Sequence, residues 1–205
     1  MKPLLAFGVA AASLVLLAGM TALAIAAPGG EPQYDGSGRM IFPADYRDWV
    51  FLSSGLNMSY SADPAMAGHD MFGNTFVPAA AYSAFKKTGT WPDKTVVMLE
   101  NRGGTGKGSI NKRGVFQTTD YMGSEAHVKD TARFKGGWGF FAFNAVDAPA
   151  SEIPHSVACY SCHEQHAAVD TTFVQFYPTL LPIAKARGTL SKSYSAETAG
   201  EASAK

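Results

Sequence analysis

Cys159-Tyr160-Ser161-Cys162-His163 holds the only two cysteines of this 205-residue chain and ends in a histidine. Two thiols one helical turn apart, with an imidazole beside the second, form the attachment sequence of a c-type haem. The thiols add across the two vinyl groups of one haem edge, and the adjacent imidazole reaches the iron. One covalently attached haem c on Cys159 and Cys162 is therefore expected, with His163 as the proximal iron ligand. Three blander readings compete. A disulfide across two intervening residues closes too small a loop to constrain the unfolded chain much. A thioredoxin-like redox pair requires a helix start directly after a strand, whereas residues 147–154 read as a loop. Zinc would take Cys159, Cys162, His163 and His166, but these lie within eight consecutive residues, and structural zinc sites draw two distant ligand pairs together.

The start of the chain bears on the compartment in which such an attachment is made. After Met1-Lys2, residues 3–30 carry no charge and are rich in Ala, Leu and Val, the composition of an export signal or a membrane anchor. Ala24-Ile25-Ala26 has the small-x-small form of a cleavage site, so residues 1–26 are expected to be a signal peptide. An uncleaved anchor is the alternative, because the apolar run is close to the ~20 residues that span a bilayer. Either way the folded part is expected outside the cytoplasm, in the periplasm. Seventeen basic residues balance seventeen acidic ones, which gives no argument for nucleic acid or an anionic membrane surface as a partner. The remaining length suits one domain with a single core.

Between these ends the pattern is strand-rich. Residues 27–40 read as a linker, 41–188 as the haem domain and 189–205 as a disordered tail. A short helix is expected at 44–49, strands at 50–52, 94–101, 115–117, 121–129 and 138–143, and a helix after Pro78 that stops at Gly89. Residues 53–73 and the glycine-rich 101–109 read as loops; the latter lacks both ends of a phosphate-binding loop. Helical patterns follow the motif at 171–177 and 180–187, with Gly188 as a stop. Small all-helical cytochromes place the motif near the start with a downstream methionine ligand, and none lies downstream here. Four-helix cytochromes would show helical periodicity upstream.

The run Cys159-Tyr160-Ser161-Cys162-His163-Glu164-Gln165-His166, with Asp170-Thr171-Thr172-Phe173-Val174-Gln175-Phe176-Tyr177-Pro178 after it, resembles the C-terminal region of the cytochrome P-460 family. Tyr46-Arg47-Asp48-Trp49-Val50, Tyr82-Ser83-Ala84-Phe85-Lys86-Lys87-Thr88-Gly89 and Gly123-Ser124-Glu125-Ala126-His127-Val128-Lys129-Asp130 agree with that family in order and spacing. The resemblance implies an α+β fold, mainly antiparallel β-sheet with flanking helices, the haem attached through a C-terminal helix, and a homodimer. It also implies a division of function. Cytochrome P-460 proper oxidises hydroxylamine and carries a lysine cross-linked to the haem, whereas the related cytochrome c′-beta proteins lack the link and bind gases such as nitric oxide. Leu99 stands where the cross-linking lysine would be. The nearest lysines are Lys94 and Lys107, and Lys94 is an odd number of strand positions away, on the other face.

The same resemblance matches Glu125 to a distal carboxylate that relays protons, although alternation alone puts Glu125 with Tyr121, His127 and Lys129 on a solvated strand face and Met122, Ala126 and Val128 in the core. His166 reads as a neighbour of His163, not a second ligand; His69, His127 and His155 read as surface residues. Met71, Met98 and Met122 read as packing, and Phe140, Phe141 and Phe143 as core or pocket lining. The leading expectation is a mono-haem c-type protein binding small nitrogen oxides such as nitric oxide at the distal iron site. The alternatives are an oxidoreductase acting on hydroxylamine or a peroxide without the cross-link, and a simple electron carrier with an unidentified redox partner protein.

Overall fold

A computed structural model describes residues 29–59 and 70–203. Residues 1–26, expected to be a signal peptide, and His69 lie outside the described residues. Five strands, β1 (Val50–Leu56), β2 (Met71–Val77), β3 (Val96–Thr105), β4 (Phe116–Lys129) and β5 (Trp138–Phe143), pair in chain order into one antiparallel sheet. Among the described residues four α-helices flank it: α1 (Ala79–Thr88), α2 (Ala158–His166), α3 (Leu181–Arg187) and α4 (Lys192–Ser203). The fold is α+β with an antiparallel sheet, as expected. Gly89 and Gly188 end α1 and α3 at φ +78° and +68°, a left-handed conformation that costs glycine little.

Both faces of the sheet are covered, and by different parts of the chain. The row Phe76, Met98, Ala126, Phe141 faces Met40, Phe42, Tyr46 and Trp49. Residues 29–40 are thus not a linker. Met40 is fully buried and exchanges backbone hydrogen bonds of 2.8 and 2.9 Å with Ala150, and Tyr34 bridges to Met40. An apolar sheet face needs a cover, and this segment supplies it. The expected helix at 44–49 shrinks to a 3-10 turn, Tyr46–Asp48.

The opposite face carries Thr75, Val97, Leu99, Glu125, His127 and Phe140 in facing register. One end of it is packed by Phe85, Trp91, Val169, Val174, Tyr177 and Leu180. Of the stretches read as loop, residues 53–56, 71–73 and 101–105 are strand, because residues that border a cavity need not be apolar. The two expected strands at 115–117 and 121–129 are one, bent where Gly123 takes φ +106°. Residues 171–177 form a turn and a 3-10 segment, Val174–Phe176, instead of a helix. The tail at 189–205 is also corrected, since α4 occupies most of it. Ser191 caps that helix through the Tyr194 amide (3.1 Å) and donates to the Ala167 carbonyl at the end of α2 (2.6 Å).

Candidate functional site

A cavity of about 270 Å³ opens between the second sheet face and the wall made by His163, Phe173, Phe176 and Tyr177. His163 is placed by the end of α2, and its imidazole is held by the turn that follows. Its Nδ1 lies 2.7 Å from the Thr171 carbonyl. A carbonyl only accepts, so Nδ1 donates, and Nε2 keeps its lone pair. The ring packs against Phe173 (4.2 Å between centroids), Phe140 (4.6 Å) and His127 (5.0 Å). Burial pushes its pKa down and the Thr171 bond pulls it up, the former prevailing, so the imidazole is neutral as a metal ligand must be.

Cys159 and Cys162 sit on α2, half-buried, and both are free thiols rather than a disulfide. Residues 144–157 separate α2 from β5, so the strand-then-helix context of a thioredoxin-like pair is missing at this motif. Among the described residues no cluster of three or more His, Cys, Asp and Glu is arranged to hold a metal ion, and His166 instead pairs with Glu197 on α4 (3.2 Å). Tyr160, between the two cysteines, anchors the helix to the sheet. Its hydroxyl donates to the Ile153 carbonyl (3.0 Å) and accepts from the Phe140 amide (3.3 Å), and burial pushes its pKa up to about 12.

Across the cavity, Glu125 stands opposite Leu99 in the strand register, and Leu99 opposite Thr75. The Glu125 carboxyl opens onto the cavity and has no hydrogen-bond or ion-pair partner among the described residues. Enclosure by the cavity walls pushes its pKa above the usual carboxylate range. The face shared by Glu125 and His127 is therefore a cavity face, on which Glu125 is exposed through the cavity's opening and His127 is buried. His127 is buried, stacked on Phe140 at 4.0 Å and against Trp138 at 4.3 Å. Burial holds its pKa well down, so it is neutral.

Tyr121 leaves this face because β4 has one more residue than β3 between the pairs Arg102↔Tyr121 and Glu100↔Ser124. Its ring lies under the Arg102 guanidinium instead. The same bulge leaves Met122 exposed rather than in the core, at 47%. His155 stacks on Tyr160 at 3.7 Å.

Met71 lines the cavity, Met98 is core, and Phe140 alone of the β5 phenylalanines borders the cavity, while Phe141 and Phe143 face the first core. No lysine is among the described residues that line the cavity. Lys94 pairs with Asp130 at 2.6 Å. Sequence reasoning did not single out Asn101, Phe173 or the Thr171 carbonyl as parts of the site. Free thiols, an imidazole with an available Nε2 and an aromatic wall together fit a haem held from α2.

A family model described as Cytochrome P460 matches residues 43–174. No curated protein matches the chain.

Proposed function

The chain belongs to the cytochrome P-460 family, and from that premise we propose that it is a mono-haem c-type cytochrome that binds small nitrogen oxides, nitric oxide in particular. Membership makes it a haem-binding cytochrome; the ligand and the covalent attachment are our reading. Cys159 and Cys162 would hold the porphyrin edge as thioethers, and His163 would ligate the iron through Nε2. When bound, the haem would supply an iron able to take a small diatomic ligand. Leu99 and Thr75 limit the size of that ligand. Glu125, protonated more readily than an ordinary glutamate, holds or accepts a proton at its carboxyl oxygen. The observation that carries the reading is Leu99 in the cavity wall, facing Glu125, at the position matched to the family's cross-linking lysine.

The test is the optical spectrum of the reduced protein before and after nitric oxide is added. An ordinary c-type spectrum that changes with the gas is expected. A red-shifted Soret band would instead mean a modified haem and favour hydroxylamine oxidation, for which Glu125 is already a suitable base. Indifference to the gas would mean electron transfer. Covalent attachment predicts that haem stays with the protein through acid–acetone extraction and is released in the Cys159→Ser, Cys162→Ser double variant. Export to the periplasm with cleavage after Ala26, and a homodimer, belong to the same proposal. The intact mass of the mature protein and its light-scattering mass check them.

A further inference from the structure

The Thr171 carbonyl that orients His163 is itself held in place by two residues of β4. Thr171 lies in a tight turn in which Val169 and Thr172 pair with each other, and Asp170 takes φ +52°. That left-handed conformation is uncommon outside glycine, so the turn needs contacts to hold it. His127 Nε2 shares a hydrogen bond of 3.1 Å with the Thr171 hydroxyl. Lys129 Nζ, two residues along the strand, forms an ion pair with Asp170 at 3.0 Å and donates to the Trp91 carbonyl at 2.8 Å. Trp91 closes the frame by donating from its indole nitrogen to the Thr172 hydroxyl at 2.8 Å.

We infer that His127 and Lys129 are positioning residues for His163, acting through the 169–172 turn. They fix where the Thr171 carbonyl stands, and so how strongly the His163 Nδ1–H bond is made. A stronger bond at Nδ1 makes Nε2 a better donor to the iron, which stabilises the oxidised metal and lowers its reduction potential. His127 is suited to this because its ring is clamped between Phe140 and Trp138 and cannot turn away from Thr171. Glu125, His127 and Lys129 alternate along one strand, so β4 carries the cavity carboxyl and the two supports of the opposite ligand on one rigid element.

The inference rests on His163 being the iron ligand, and the experiment separates the two. The measurements are the iron–imidazole stretching frequency of the reduced holoprotein and its reduction potential. His127→Phe keeps the stacked ring and removes the hydrogen bond. Thr171→Val removes the hydroxyl at nearly constant volume, and Lys129→Met keeps the stem without the ammonium. Each is expected to lower the stretching frequency and shift the potential upward, while Thr171→Ser leaves both at their original values. Unchanged frequency and potential in folded His127→Phe and Thr171→Val proteins would overturn the positioning role while leaving His163 as the ligand. Absence of the iron–imidazole mode from the unsubstituted protein would overturn the ligation itself and the positioning role with it.

Discussion

Glu125 shows how one side chain can report on the cavity from two directions. Its pKa is raised by enclosure, so folding binds its proton more tightly than the unfolded chain does. The sign follows. Below the unfolded glutamate value the group costs nothing, and as pH rises through the folded value its ionisation destabilises the protein. Glu125→Gln is therefore expected to raise the melting temperature at pH 7 and leave it nearly unchanged at pH 3.5, read by calorimetry at both values. The same substitution should flatten any pH dependence of nitric oxide affinity just above the ordinary carboxylate range. Alternation placed Glu125 on a solvated face, and only its resemblance to a family position marked it out. Cavity-facing and solvent-facing residues have the same composition, and a bulge such as that at Gly123 shifts the period without a strong local signal. Thr171 was illegible for a different reason. It contributes a carbonyl, which every residue has.

Caps and stops are local chemistry, and at the level of elements they read well. Pro78 before α1 and the glycines after α1 and α3 stand where expected. Adding a methyl group at Gly89 would strain its positive φ and bring Cβ to 2.8 Å from Arg187 Cβ and Thr189 Oγ1. Gly89→Ala is thus expected to cost about 1–2 kcal/mol in urea unfolding, above the ~1 kcal/mol usual for a left-handed position. Helix α4 is the element that composition concealed, since Ser, Ala, Glu and Lys suit a tail as well as a helix. Its cap decides the matter. Ser191 serves both as N-cap and as donor to the end of α2, so Ser191→Ala should cost roughly 1–2 kcal/mol. It should also speed proteolysis at the end of α2, followed by mass spectrometry of limited digests.

Two faces of one sheet divide the labour of the whole molecule. Behind the first face, Glu100 is fully buried and accepts from the Tyr46 hydroxyl (2.5 Å), Arg47 (3.0 Å) and Arg102 (2.7 Å). Burial alone would raise its pKa, but these donors outweigh that and lower it. Its contribution to stability is therefore full above roughly pH 4.3, the unfolded value, and is lost as pH falls through the lower folded value. Glu100→Gln is expected to cost roughly 2–4 kcal/mol at pH 7 and to flatten the acid limb of a urea-midpoint profile. The second face borders the cavity and depends on what fills it. In a Cys159→Ala, Cys162→Ala protein made without haem, amide exchange should quicken at β4 and at 169–177 more than at Met40 and Ala150.

The attachment motif, the helix stops and the strand-rich order were determined by the sequence alone, because each depends on residues adjacent in the chain or one turn apart. Only the tertiary structure decided which sheet face holds the cavity, that residues 29–40 and 192–203 pack onto the domain, and that β4 supports His163. Those outcomes depend on residues distant in the chain meeting in space, as His127 and Thr171 do at 44 positions apart, and no local pattern encodes such a meeting.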